Sequence, residues 1–87
     1  MNESGGQSQR RVGVVAIVIQ DREHAAPKVN QLLSEYGDIV VGRMGIPYRD
    51  RGVSVIALIV DGDTDVLGAL TGKLGGIPGV RVRSALT

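Results

Sequence analysis

Val53-Ser54-Val55-Ile56-Ala57-Leu58-Ile59-Val60 is the stretch that decides the fold. It is short, rich in β-branched residues and bounded by turn formers on both sides, which marks a strand rather than a buried helix. Side chains alternate across a strand, so Val53, Val55, Ala57 and Ile59 share one face and Ile56, Leu58 and Val60 the other. A strand with one wet face would alternate apolar with polar residues. Here both faces are apolar, which places the strand in the middle of a sheet that needs cover on both sides. Val12 to Ile19 repeats the pattern, with Val12, Val14, Ala16 and Val18 on one side and Val15, Ile17 and Ile19 on the other.

Upstream of Val53, the polar Arg49-Asp50-Arg51-Gly52 reads as a turn with a glycine exit, and a strand from Ile39 to about Met44 completes a β-hairpin. Gly45-Ile46-Pro47-Tyr48 continues that strand, but Pro47 lacks an N–H, so the ladder is expected to fray or bulge there. Further back, Asp21 offers an N-cap to a helix reaching about Tyr36. Ala26, Val29, Leu33 and Tyr36 recur at helical steps, widened by Ala25 and Leu32, and Gly37 is the stop. Pro27 sits awkwardly in this helix, which predicts either a start near Glu23 or His24 or a kink in the first turns. Downstream of Val60, Asp63 or Thr64 caps a second helix over roughly Asp65 to Leu74, with Val66, Leu67, Leu70 and Leu74 as its stripe. Gly75-Gly76 and Pro78-Gly79 end it, and Val80 to Ser84 forms a last strand. Arg81 and Arg83 share one side of that strand and suit the guarding of an edge.

The order strand, helix, strand, strand, helix, strand is that of an α+β, ferredoxin-like βαββαβ sandwich: a four-stranded antiparallel sheet with two helices on one face. The first and third strands are then central. The other face would present on the order of 300 Å² in projection, the size at which an apolar patch signals a partner. A homodimer through the sheet is expected, since isologous pairing is the commonest solution for soluble oligomers.

Composition narrows the function. The 87 residues, with 43% hydrophobic residues, no Phe, no Trp and two Tyr, make one aliphatic-cored domain at 11–87, preceded by a tail at 1–10 expected to be disordered. With no cysteine, disulfides and thiolate chemistry are excluded, and no apolar run is long enough for a signal peptide or membrane span, so the chain is expected to be cytoplasmic. A net charge of +1 predicts neither nucleic-acid nor membrane binding.

The motifs that resemble chemistry fall short of it. Asp61, Asp63 and Asp65 imitate the opening of a calcium loop, but Val66 and Gly72 stand where its glycine and bidentate glutamate belong, so capping explains them. Gly68 to Leu74 has three residues between its glycines and Leu74 in place of a magnesium-binding hydroxyl, so it is no phosphate loop. Its glycines instead suggest close approach of the second helix to a neighbour. His24 is the only histidine and reads as a surface residue, which leaves no metal site. Ser34, Ser54 and Ser84 lack a histidine partner, and no catalytic residues and no cofactor are expected. Arginines do gather at the irregular strand end, so Arg43, Gly45, Pro47, Tyr48 and Arg49 form a candidate site for a small ligand or anion.

Ile19 to Glu23, Val29 to Leu33, Arg43 to Arg49 and above all Gly68-Ala69-Leu70-Thr71-Gly72-Lys73-Leu74-Gly75-Gly76-Ile77-Pro78-Gly79-Val80-Arg81-Val82 resemble the iron-only hydrogenase system regulator family. The resemblance spans nearly the whole chain after the tail. It implies kinship with ACT-like domains and with the C-terminal domain of nickel-responsive repressors, hence the ferredoxin-like fold, association up to a tetramer, and a regulatory role. The nickel site of those repressors does not carry over to a chain with one histidine and no cysteine. The Gln20-Asp21-Arg22 turn lacks the glycine usual in amino-acid-binding ACT domains. With no DNA-binding module, no direct DNA binding is expected, and transcriptional control would pass through a partner protein. The expectation is a non-enzymatic, effector-sensing homo-oligomer; the alternative is a structural interaction module without a ligand.

Overall fold

The computed structural model describes residues 9–87. The tail expected at 1–10 therefore lies, for residues 1–8, outside the described residues, and the first strand already begins at Arg10. The elements are β1 (Arg10–Ile19), α1 (Arg22–Glu35), β2 (Val40–Tyr48), β3 (Val53–Asp63), α2 (Thr64–Gly75) and β4 (Val80–Leu86), with 3₁₀ turns at Gly37–Ile39 and Arg49–Arg51. The sheet is antiparallel in the order β2-β3-β1-β4, so the two strands that are apolar on both faces occupy the middle.

One face of the sheet carries the core. Val15, Ile17 and Ile19 of β1 and Ile56, Leu58 and Val60 of β3 meet Ala25, Val29 and Leu33 of α1 and Leu67, Leu70 and Leu74 of α2. These helix residues recur at three- and four-residue steps, which is why each helix buries a single stripe. Asp21 caps α1, its Oδ1 accepting from the His24 backbone N–H at 3.2 Å while Oδ2 lies 3.0 Å from His24 Nδ1. Those contacts, the backbone N–H first, hold the Asp21 carboxyl below its ordinary pKa. The two inter-element turns touch at the same end: Gln20 N–H donates to the Gly79 carbonyl at 2.7 Å, and Gly79 adopts φ of 82°.

The boundaries depart from the sequence reading in places that have physical causes. α1 starts at Arg22 directly after its cap, and Pro27 lies inside it. The missing N–H leaves only the carbonyl of Glu23, an exposed first-turn residue, without its intrahelical partner. β2 neither frays nor bulges at Pro47: the ladder runs on to Tyr48 opposite Val53, and the irregularity falls between Val40 and Gly42. An edge strand offers alternate N–H groups to its single neighbour, so a proline facing outward breaks nothing. β3 extends to Asp63 because Arg10, Arg11 and Val12 pair with Asp63, Gly62 and Asp61. Gly62 admits the 3₁₀ turn, since a Cβ there would stand 2.7 Å from Ile39 Cγ2. The Arg49–Gly52 turn closes as expected, with Gly52 left-handed at φ of 65°.

Candidate functional site

The second face of the sheet is bare. Register places Val12, Val14, Ala16 and Val18 beside Val53, Val55, Ala57 and Ile59, with Met44, Ile46 and Tyr48 of β2 continuing the row on the outer side of β3. Val12, Val14, Met44, Ile46, Tyr48 and Ile59 are each exposed by about half or more. Arg81 and Arg83, opposite Val18 and Ala16, flank the face along β4. Its middle is low, because Ala16 and Ala57 lie directly opposite one another. Hollows of about 260 Å³ (Ala16, Val18, Arg81, Val82, Arg83) and 220 Å³ (Gly42, Arg43, Met44, Ala57, Ile59) open on either side. A surface with apolar ridges and side-chain-sized hollows can interdigitate with another sheet at the ~10 Å spacing of packed sheets.

On the helix side, an open cleft of about 190 Å³ lies between α1 and the outer strands. Arg43, Gly45 and Pro47 line it, paired across β3 with Leu58, Ile56 and Ser54. The other two members of the sequence-derived set lie elsewhere: Tyr48 falls on the bare face by alternation, and Arg49 is in the 3₁₀ turn. Their places are taken by Arg22 and Asn30 of α1, with Ile19, Ala26 and Ile56 forming an apolar wall. Arg43 Nη2 donates to Asn30 Oδ1 at 3.1 Å, which fixes the guanidinium at the cleft. Arg22 and Asn30 were legible in principle, because Arg22, Ala26 and Asn30 stand four residues apart along one face of α1.

The remaining motifs resolve as follows. Asp63 occupies the N-cap position of α2 but makes no side-chain cap bond, and its buried Oδ1 has no hydrogen-bond partner among the described residues. The Thr64 hydroxyl turns to the Gln9 carbonyl at 3.0 Å. Asp61 pairs with Arg10 at 3.1 Å. Among the described residues, no group of three or more His, Cys, Asp or Glu is placed to hold a metal. The reading of the α2 glycines as a close-approach surface is not met within the chain: a Cβ at Gly68, Gly72 or Gly75 would have nothing within 4 Å. These glycines instead border a groove of about 420 Å³ beside Val82, Arg83 and Ser84 of the edge strand β4. Among the described residues no helix is long and apolar enough to cross a membrane.

A family model described as "TM1266-like: Iron-only hydrogenase system regulator, putative" matches residues 11–84. Among solved structures, the chain is similar to that of an uncharacterized protein, TM1266, from Thermotoga maritima. The two share 40% identity with a TM-score of 0.86, over 90% of this chain and 98% of that one. No curated protein matches.

Proposed function

The chain belongs to the TM1266-like family of iron-only hydrogenase system regulators, and from that membership we propose that it is a non-enzymatic regulatory domain that works as a homodimer closed over the bare face of its sheet. The observation that carries this reading is the bare face itself. Six large side chains exposed by about half or more, with the smaller residues between them, offer on the order of 600–800 Å² per protomer, close to the ~800 Å² each partner gives to a standard interface. A second copy suits the face because its central rows, Val12, Val14, Ala16 and Val18 beside Val53, Val55, Ala57 and Ile59, are uncharged. The formal charges lie around them: Arg81 and Arg83 on the β4 flank, Arg43 beside the hollow on the β2 side, and the Arg10–Asp61 pair at the far end. Two such faces bury aliphatic side chains against each other and leave the arginines at the rim.

Regulation then consists of binding: a small effector at the helix side, and a partner protein through which control of transcription would pass, in a cytoplasmic setting and without direct contact to DNA. Pairing through the sheet edges would extend the dimer to a tetramer, with Arg81 and Arg83 opposing it on the β4 side. Sedimentation equilibrium of the wild-type protein over a wide dilution range tests the reading. A dimer that persists into the low micromolar range is expected, and a monomer at high micromolar concentration overturns it.

A further inference from the structure

We propose that the cleft between α1 and β2 is a binding site for a short aliphatic monocarboxylate without an amino group, of the size of butyrate or 2-oxobutyrate. The inference rests on the regulatory reading only for its purpose, as the effector site of that domain; the cleft itself is independent of whether the sheet faces associate.

Its size sets the first limit. About 190 Å³ is below the ~300–1,000 Å³ of sites for drug-sized ligands, so the cleft matches a small ligand of a few heavy atoms. Charge sets the second. The lining includes two arginines, Arg22 and Arg43, and no Asp or Glu. Among the described residues neither arginine has a carboxylate within ion-pair distance; the pairs that form are Arg10 with Asp61 and His24 with Asp21. A guanidinium presents a planar fork that matches a carboxylate, and Arg43 is held in place by Asn30 rather than neutralised. An ammonium group beside two arginines that have no carboxylate partner among the described residues is repelled, and without an acidic lining residue it has no counter-charge. This chemistry separates a simple carboxylic or 2-oxo acid from the amino acid of the same skeleton.

The wall sets the third. Ile19, Ala26 and Ile56 form an apolar side that a bare anion such as phosphate leaves unfilled, whereas a three- or four-carbon chain covers it. Gly45 keeps the space open: a Cβ placed there would touch only Ile56 Cγ1, at 3.8 Å. A larger side chain at position 45 thus enters the cleft without displacing the backbone, and valine is at home in a strand. Occupation can therefore be blocked without loss of the fold.

The test is a titration of ¹⁵N-labelled protein with butyrate, 2-oxobutyrate, L-2-aminobutyrate and inorganic phosphate, each at constant pH and ionic strength. At about 10 mM of either carboxylate, saturating shifts of the Ala26, Asn30, Gly45 and Ile56 amides are expected, together with a raised melting temperature. L-2-Aminobutyrate and phosphate are expected to bind at least about tenfold more weakly, and Arg43→Ala to weaken carboxylate binding by about ten- to a hundredfold, the range for loss of a charge-assisted hydrogen bond. Gly45→Val should abolish the shifts while keeping the wild-type amide pattern elsewhere. Absence of shifts at these amides with both carboxylates overturns the proposal, as does phosphate binding equal to the carboxylates, or binding indifferent to both substitutions. Amino-acid binding as tight as that of the carboxylates also overturns it. Sedimentation of the same samples reads the dimer separately, so the cleft and the sheet interface can fail one without the other.

Discussion

Replacing Ile59 by glutamate places a charge in the bare face of the sheet while leaving the core untouched. Ile59 is 50% exposed, whereas its neighbour Leu58 is 0% exposed on the opposite side of β3. If the face closes on a second copy, the exposed half of Ile59 gives up about 100 Å² of apolar surface, or about 2.5 kcal/mol at ~25 cal/mol per Å². A two-fold axis brings the substitution in twice, so about 5 kcal/mol of association energy is lost, a weakening of three to four orders of magnitude. Two carboxylates taken out of water oppose association further. The isolated protomer should change little, within about 1 kcal/mol, because the site faces solvent there and only β propensity is altered. Leu58→Glu is the contrast, since an unpaired charge among Val15, Val29 and Leu70 should prevent folding altogether. Sedimentation equilibrium with circular dichroism on both variants reads the two effects. An Ile59→Glu protein that assembles within about tenfold of the wild type would refute the interface.

The α2 glycines make no demand on the protomer, so Gly68→Ala and Gly72→Ala should each stabilise it by about 0.5–1 kcal/mol through the restricted unfolded chain, read as a higher urea midpoint. Gly79→Ala should do the reverse by about 1–2 kcal/mol, because φ of 82° is left-handed and the new Cβ would stand 3.2 Å from Asp21 Cβ. Gly13→Ala should be more damaging still and release the end of β4, since its Cβ would run into the Ala85 carbonyl oxygen and stand 2.7 Å from Leu86 Cδ2; loss of protection at the Thr87 amide, which donates to the Val12 carbonyl at 3.0 Å, is the hydrogen-exchange readout. The Asp21 carboxyl is held below the ordinary carboxylate range by the His24 contacts, so its contribution is present above the ordinary aspartate pKa of about 3.9 and disappears as the pH falls through the folded value. Asp21→Asn keeps a capping oxygen but cannot titrate; the melting-temperature gap between wild type and variant should therefore close on acidification below pH 4, and a gap independent of pH would contradict the pair.

Much of this architecture was legible because the strands are unusually uniform. Val12 to Ile19 and Val53 to Val60 are apolar at both parities, and a strand of that kind has few places to go except the centre of a sheet. The bare face followed from the same residues once two helices were counted against two faces. What the sequence did not disclose was register. Parity alone puts Tyr48 with Ile46 and Met44, and Arg43 with Gly45 and Pro47, but the cluster Arg43 to Arg49 looked like one site because its members are adjacent in the chain. The bulge was misplaced for a related reason. Pro47 is the conspicuous residue, yet an edge strand tolerates it, while the extra residue, Val41, enters between Val40 and Gly42, where the strand glycine is the quieter signal of a bulge. Gly68 and Gly72 suggest a packing device because each costs helix propensity, and nothing in the sequence distinguishes a glycine that meets a neighbour from one that faces solvent.

The alternation along β2 has a mechanical consequence that ties the two surfaces together. Arg43, Gly45 and Pro47 line the cleft, and Met44, Ile46 and Tyr48 between them lie on the bare face. β2 is an edge strand, bonded to β3 on one side only, with a bulge at one end and a glycine-closed turn at the other. Like β4 it is held on one side only, but β2 also lines the cleft, so a displacement that drew Arg43 toward an anion there would carry Met44 and Ile46 with it. Binding free energies that share a displaceable element are linked reciprocally: if the bare face closes on a second copy, a ligand that preferred the β2 position of that dimer would tighten it by the factor by which the dimer tightened the ligand. The central strands β1 and β3 could not serve this purpose, being hydrogen-bonded on both sides and packed against the core through Ile17 and Leu58. If the cleft takes an anion and the bare face closes on a second copy, β2 is the strand that would join the two events, because the arginine, the glycine and the proline of the cleft alternate along it with the side chains of the bare face.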